Sequence, residues 1–211
     1  MLDANTFLVN DLVDYGLDAL MFIRQVAARD PSAAQEICRF RNQRLLYVLE
    51  RLDQAALRRL LGAVGCPFGP RTTELSAALD ALEGGLRPKG LVNAPEFYSE
   101  NEHFGRELER IQQLFWTLFR QEAHQNHHAC ATTFDIDDHQ VIRRIATLKL
   151  NELRLLARFP IALRISQSSG FELALSLEGQ GVTNPTRLAV AGMAAACFDE
   201  PAAEHAQGVV S

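Results

Sequence analysis

Residues 136–157 read IDDHQVIRRIATLKLNELRLLA, and residues 40–61, lying 96 positions earlier, read FRNQRLLYVLERLDQAALRRLL. Laid over one another without a gap, Leu45, Leu46 and Leu49 face Val141, Ile142 and Ile145, Leu52 meets Leu148, Leu57-Arg58 meets Leu153-Arg154, and Leu60 meets Leu156. Apolar residues three and four apart on a charged background mark amphipathic helices. Asp53 and Asn151 fall where a second helix would be capped after a very tight turn. The register extends in both directions, with Arg24-Gln25 on Arg120-Gln121 and Ala78-Leu79 on Ala174-Leu175. Such an offset fits two copies of one helical unit, and it also fits two unrelated amphipathic segments that share a period.

Working outward, the expected fold is mainly α, built of two similar small helical modules with a short extended segment in each. Helices are predicted from Phe7 to about Ala28, after Asp30-Pro31-Ser32, from Asn42 through Leu52, and from Ala55 to Ala63 before Gly65. The second unit repeats the plan. It has a long helix from His103 to Ala123, a polar loop, a helix capped by Asp137 or Asp138 through Thr147, and a helix from Glu152 to Arg158 ahead of Pro160. Ile161–Ile165 reads as extended. Residues 171–177 alternate like a strand, but the offset lays them on the helical 75–81, so helix is preferred; a last helix covers 185–197, with Pro185 in its first turn. Glycine and proline between Gly84 and Pro95 mark the junction. The resulting division is 1–84 for the first module, 85–98 for a linker, 99–197 for the second module and 198–211 for a disordered tail.

A chain of 211 residues, 47% of them hydrophobic, has material for a packed core. The net charge of −5 argues against wholesale attraction to nucleic acid or membrane, yet the charge is unevenly spread. Seven arginines (Arg39, Arg41, Arg44, Arg51, Arg58, Arg59 and Arg71) stand against Glu50 and Asp53, a local net of +5. Arg143, Arg144, Lys149, Arg154, Arg158 and Arg164 stand against Glu152 alone, again +5. Clustered cations on helix–turn–helix-like segments are what phosphate contact requires. From these, Arg143, Arg144, Lys149, Arg154 and Arg158, with Arg44, Arg51, Arg58 and Arg59, are the candidate DNA contacts. The competing reading is a solvated basic face that forms ion pairs with its acidic flanks.

Other constellations are weaker. His124, His127, His128 and Cys130, followed by Asp135, Asp137, Asp138 and His139, hold metal-binding residue types, but the spacing completes no zinc pattern and the first unit has no histidine there. No metal and no cofactor are assigned. The phosphate loop, GxGxxG, HExxH and GxSxG are all lacking, so the chain is not expected to be an enzyme. Phe115, Trp116 and Phe119 form an aromatic stripe that suits a core or a subunit interface and is expected at an interface. Four scattered cysteines, an acidic start and no bilayer-length apolar run point to a reduced, cytoplasmic protein without a membrane span.

The segment Ala146–Ala157, with Ile136–Ile145 before it and Pro160–Ile165 after it, resembles the FlhD subunit of the flagellar master activator. The shared pattern is a helix, a short turn and an L-x-L-x-x-[LM]-x-x-L-A helix leading into an extended piece. Residues 43–61 look like a more degenerate copy, without the Leu-x-Leu turn. The resemblance implies a transcriptional regulator subunit that binds DNA in a hetero-oligomer with a FlhC-like partner, as related regulators do on conjugative and genomic-island elements. The alternative is a helical adaptor or scaffold in a mobile-element replication or transfer system, without direct DNA contact.

Overall fold

A computed structural model describes residues 4–166 and 170–198. Twelve helices run through the described residues: α1 (Ala4–Ala27), α2 (Pro31–Cys38), α3 (Arg44–Arg51), α4 (Gln54–Val64), α5 (Thr72–Glu83), α6 (Glu96–Glu100), α7 (Glu102–Gln125), α8 (His127–Phe134), α9 (His139–Thr147), α10 (Leu150–Leu156), α11 (Phe171–Gly179) and α12 (Pro185–Phe198). The fold is mainly α. The extended contribution among the described residues is a single antiparallel bridge between Phe68 and Ile165.

The offset of 96 seen in the sequence also relates local geometry. α2 and α8 coincide at both ends under it. Asp30 caps α2 by accepting from Ala33 N at 3.0 Å, and Asn126 caps α8 by accepting from Ala129 N at 3.1 Å. Both helices end on a left-handed residue, Arg39 and Asp135, each at φ 54°. α5 and α11 end alike, with Leu86 N donating to Ala81 O and Val182 N to Leu177 O. The turn places Gly85 at φ 92° and Gly181 at φ 87°, values that glycine adopts without a Cβ penalty.

The corresponding helices are exchanged in packing. α3 and α4 pack on α1, as α9 and α10 pack on α7. α5, however, crosses to pack on α9 and α10, and α11 crosses back to pack on α3 and α4. α1 and α7 pack on each other between them, and the Phe68–Ile165 bridge is closed by Gly69 N to Arg164 O (2.9 Å) and Ser166 N to Pro67 O (2.8 Å). One continuous apolar core results, running from Leu12 to Leu188. Residues 85–98 are tied into it: Val92 N donates to Arg158 O, and Tyr98 is buried on Phe22.

Equivalent seams are filled by different chemistry. Gly16 lets Leu61 approach α1, where an added Cβ would lie 3.0 Å from its Cδ2; at the matching positions stand a large and a small residue, Gln112 and Ala157. Gln112 is fully buried and donates to Ala157 O (2.8 Å) while accepting from Ile161 N (3.0 Å) and Ala162 N (3.2 Å). Between α3 and α11, a Cβ on Gly179 would sit 2.5 Å from Val48 Cγ1; the matching seam of α9 and α5 is instead joined by Arg144 and Glu83. Gly179→Ala is therefore expected to lower stability by about 1–3 kcal/mol through overpacking against a stiff β-branched side chain. Val48→Ala in the same chain should recover most of the loss in thermal denaturation. A double variant no more stable than Gly179→Ala would rule out this contact as the cause.

Three local expectations are corrected. The loop after Ala123 contains α8, because the Asn126 side chain caps it by accepting from His128 N and Ala129 N. α10 starts at Leu150 rather than Glu152: Lys149 is its N-cap, and Glu152 Oε2 reaches back to accept from Lys149 N at 2.7 Å, so Asn151 lies inside the helix. Ile161–Leu163 forms turns, and Ile165 alone of that segment bridges to Phe68, the Ile161 and Ala162 N–H groups having gone to Gln112. The tail assigned to 198–211 falls, beyond Phe198, outside the described residues.

Candidate nucleic-acid interface

Each hairpin is two short helices with a very tight turn. Asp138 starts α9 by accepting from Gln140 N at 2.8 Å, and Leu148 leaves it with extended backbone (ψ 141°). Val141, Ile142, Ile145, Ala146, Leu153 and Leu156 are buried, so the opposite faces of α9 and α10 turn outward. In the first hairpin Leu52 makes the same extended step (ψ 137°), and Asp53 caps α4 by accepting from Ala56 N at 2.7 Å.

The nine candidate contacts divide by surroundings. Arg143, Lys149 and Arg154 on the second hairpin, and Arg44 and Arg51 on the first, are exposed, and no ion pair engages them among the described residues. Arg58 pairs with Asp14 at 3.0 Å, with both side chains more than half exposed, a contact worth little in water. The other three are corrected to structural roles. Arg144 bridges to Asp80 (2.7 Å) and Glu83 (2.9 Å), clamping α9 to α5. Burial works against its charge, but the bonds to Glu83 and Asp80 outweigh that and raise its pKa. Arg158 donates to Pro88 O and faces Glu109, holding the 85–98 segment in place. Arg59 is committed to Glu178 at 2.6 Å.

The equal local charges conceal unequal placement. At the positions matching Arg143, Lys149 and Arg154, the first hairpin carries Tyr47, Asp53 and Arg58. Tyr47 was missed as a candidate. It is 58% exposed and lies three residues after Arg44 and four before Arg51, so an aromatic ring and two unpaired arginines share one face of α3. That spacing was visible in the sequence. Leu150, 66% exposed beside Lys149, was missed as well.

Phe115, Trp116 and Phe119 are corrected from interface to core: all three are fully buried. Phe115 packs on Tyr15 of α1 (5.6 Å between centroids) and on Phe134 of α8 (5.3 Å), while Phe119 packs on Phe134 (4.5 Å). The stripe is covered from inside the chain, so no partner can reach it.

The histidine-rich segment is drawn apart by α8. His128 and His139 bring their rings within 5.0 Å, whereas Cys130 is buried on the other side with its Sγ near Phe119 O. Burial, helped by Glu122, pushes the Cys130 thiol up to about 12, and burial raises Cys38 and Cys66 to about 12 as well. Such thiols are poor nucleophiles near neutrality. Among the described residues no three His, Cys, Asp or Glu side chains converge, and no helix is long and apolar enough to cross a membrane. No family model, curated protein or solved structure matches the chain.

Proposed function

We propose that the chain is a DNA-binding regulator subunit that engages phosphates through its two hairpins and works within a hetero-oligomer. The observation that carries this reading is the set of five exposed bases that form no ion pair among the described residues, Arg143, Lys149, Arg154, Arg44 and Arg51, each on a helix–turn–helix-like hairpin of an otherwise acidic protein. Cations that are not neutralised internally can release counterions from DNA, while those locked in the seams cannot. Tyr47 adds a flat ring between two arginines, the pairing suited to sugar and base contact. The resemblance of residues 136–165 to FlhD-type subunits supports the same reading and adds a FlhC-like partner to it. Exposed apolar side chains support a protein partner in this reading: Leu173, Val190 and Met193 on α11 and α12 are 43%, 55% and 62% exposed.

That apolar surface also favours the second reading, an adaptor that contacts only protein. The buried aromatic stripe no longer supports it. The two readings separate in a titration of duplex DNA followed by fluorescence anisotropy at several salt concentrations. Arg143→Glu, Lys149→Glu and Arg154→Glu combined are expected to weaken binding at least tenfold and to flatten the salt dependence by roughly 0.9 per phosphate contact removed. Arg106→Glu, an exposed arginine of α7 paired with Glu102, should leave affinity within about twofold. A folded triple variant with unchanged affinity and slope would overturn the DNA reading and favour the adaptor.

A further inference from the structure

The last carbonyls of a helix lack intrahelical donors and sit at the negative end of its dipole, so they attract cations. α2 shows how this chain answers that need. The Arg164 guanidinium, 7% exposed, donates to Glu36 O and to Ile37 O (2.7 Å), and Glu74 accepts from its Nε at 3.2 Å. Arg39, at the left-handed position just past the helix, pairs with the same Glu74 at 3.3 Å.

At the matching end of α8 no described residue supplies a cation to the helix carbonyls. Position 164 corresponds to Phe68, and the carbonyls corresponding to those of Glu36 and Ile37 belong to Thr132 and Thr133. No described residue donates a hydrogen bond to either. The left-handed position holds a carboxylate instead of a base: Asp135 Oδ2 accepts from Ser166 Oγ at 2.7 Å, and Asp135 makes no ion pair among the described residues. A cleft of about 320 Å³ opens here, lined by Thr132, Thr133 and Asp135 together with the apolar Phe68, Ala189 and Met193. A second cavity of about 320 Å³ shares Phe134, Asp135 and Ser166 with the first and is also lined by Arg71, which is exposed. Two bases share one acid at α2, whereas at α8 the acid and the two residues with open carbonyls line a cleft.

We propose that the α8 cleft binds an alkylguanidinium, with the guanidinium on the Thr132 and Thr133 carbonyls and Asp135, and the alkyl chain along Phe68, Ala189 and Met193. Planar N–H forks match a carboxylate beside a helix end, as Arg164 does at α2. The group can come from a free small molecule or from an arginine side chain of a polypeptide, and the proposal is independent of the DNA reading.

The test is a titration of the full chain with agmatine and with N-acetylarginine methylamide, followed by amide NMR shifts. Saturable shifts confined to residues around 132–135, at least tenfold weaker in Asp135→Asn and not seen with neutral butylurea, are expected. Asparagine tolerates the left-handed backbone of this position, so the variant should fold. Tighter agmatine identifies a free ligand, and tighter methylamide a polypeptide side chain; either supports the site. Shifts that are absent, spread over the surface, or equally strong in Asp135→Asn overturn it.

Discussion

Arg59→Leu is expected to lower stability by about 3–5 kcal/mol, while Arg59→Leu combined with Glu178→Leu should leave the protein as stable as the parent or more so. The difference lies in what is left behind. The Glu178 side chain is 2% exposed in the seam between α4 and α11, its Oε1 accepts from Arg59 Nη2 at 2.6 Å, and its Oε2 has no partner. Arg59 is 39% exposed, so solvent screens the pair and its net worth is small. Removing the base alone strands a buried carboxylate, which is the large effect. The double variant removes both charges, and the chain already holds leucines at the matching positions, Leu155 and Leu82, where α10 packs on α5. Urea denaturation of the three proteins decides the matter; equal stability of parent and Arg59→Leu would show that Glu178 does not depend on the pair.

Arg164→Met should cost a similar amount, about 3–5 kcal/mol, for a different reason. The guanidinium serves the carbonyls of Glu36 and Ile37 and the carboxylate of Glu74 at once, and all three lose a charged donor when it goes. Burial works to lower the pKa of Arg164, and the neighbouring Glu74 opposes that. Methionine fills the space without supplying a donor. Arg39→Met offers the contrast: its side chain is 43% exposed, its ion pair among the described residues is to Glu74, and its loss should stay below about 1 kcal/mol. Thermal melts in which the two variants lose equally would refute the assignment of Arg164 as the buried tie between the halves.

Much of the helical plan was legible because it is local. Asp30, Asp53 and Asp138 announce helix starts through side chains that accept from the next turn, and the structure uses all three as caps. Residues 171–177 alternate in hydropathy, and the matching segment 75–81 correctly favoured a helix. α8 was hidden by its own histidines, which read as a polar loop although Asn126 caps them. Partner choice was not legible. A periodic pattern tells which face of a helix is apolar, not which helix will cover it, so the crossing of α5 and α11 left no local trace. The arginines failed for the same reason: Arg143 and Arg144 are chain neighbours of one type, yet only Arg144 turns toward Asp80 and Glu83, more than sixty residues earlier in the chain.

The crossing of α5 and α11 also sets an order of events during synthesis. The apolar faces of α3 and α4 emerge early, but α11, which packs on both, and α12, which packs on α4, follow about a hundred residues later or more, a delay of at least roughly 5–20 s at ordinary elongation rates. Through that interval the amino-terminal half is a partly closed body with an uncovered side. Ribosome-bound intermediates truncated before residue 171 should therefore capture chaperones, and release should coincide with emergence of α11 and α12 rather than with completion of the amino-terminal half.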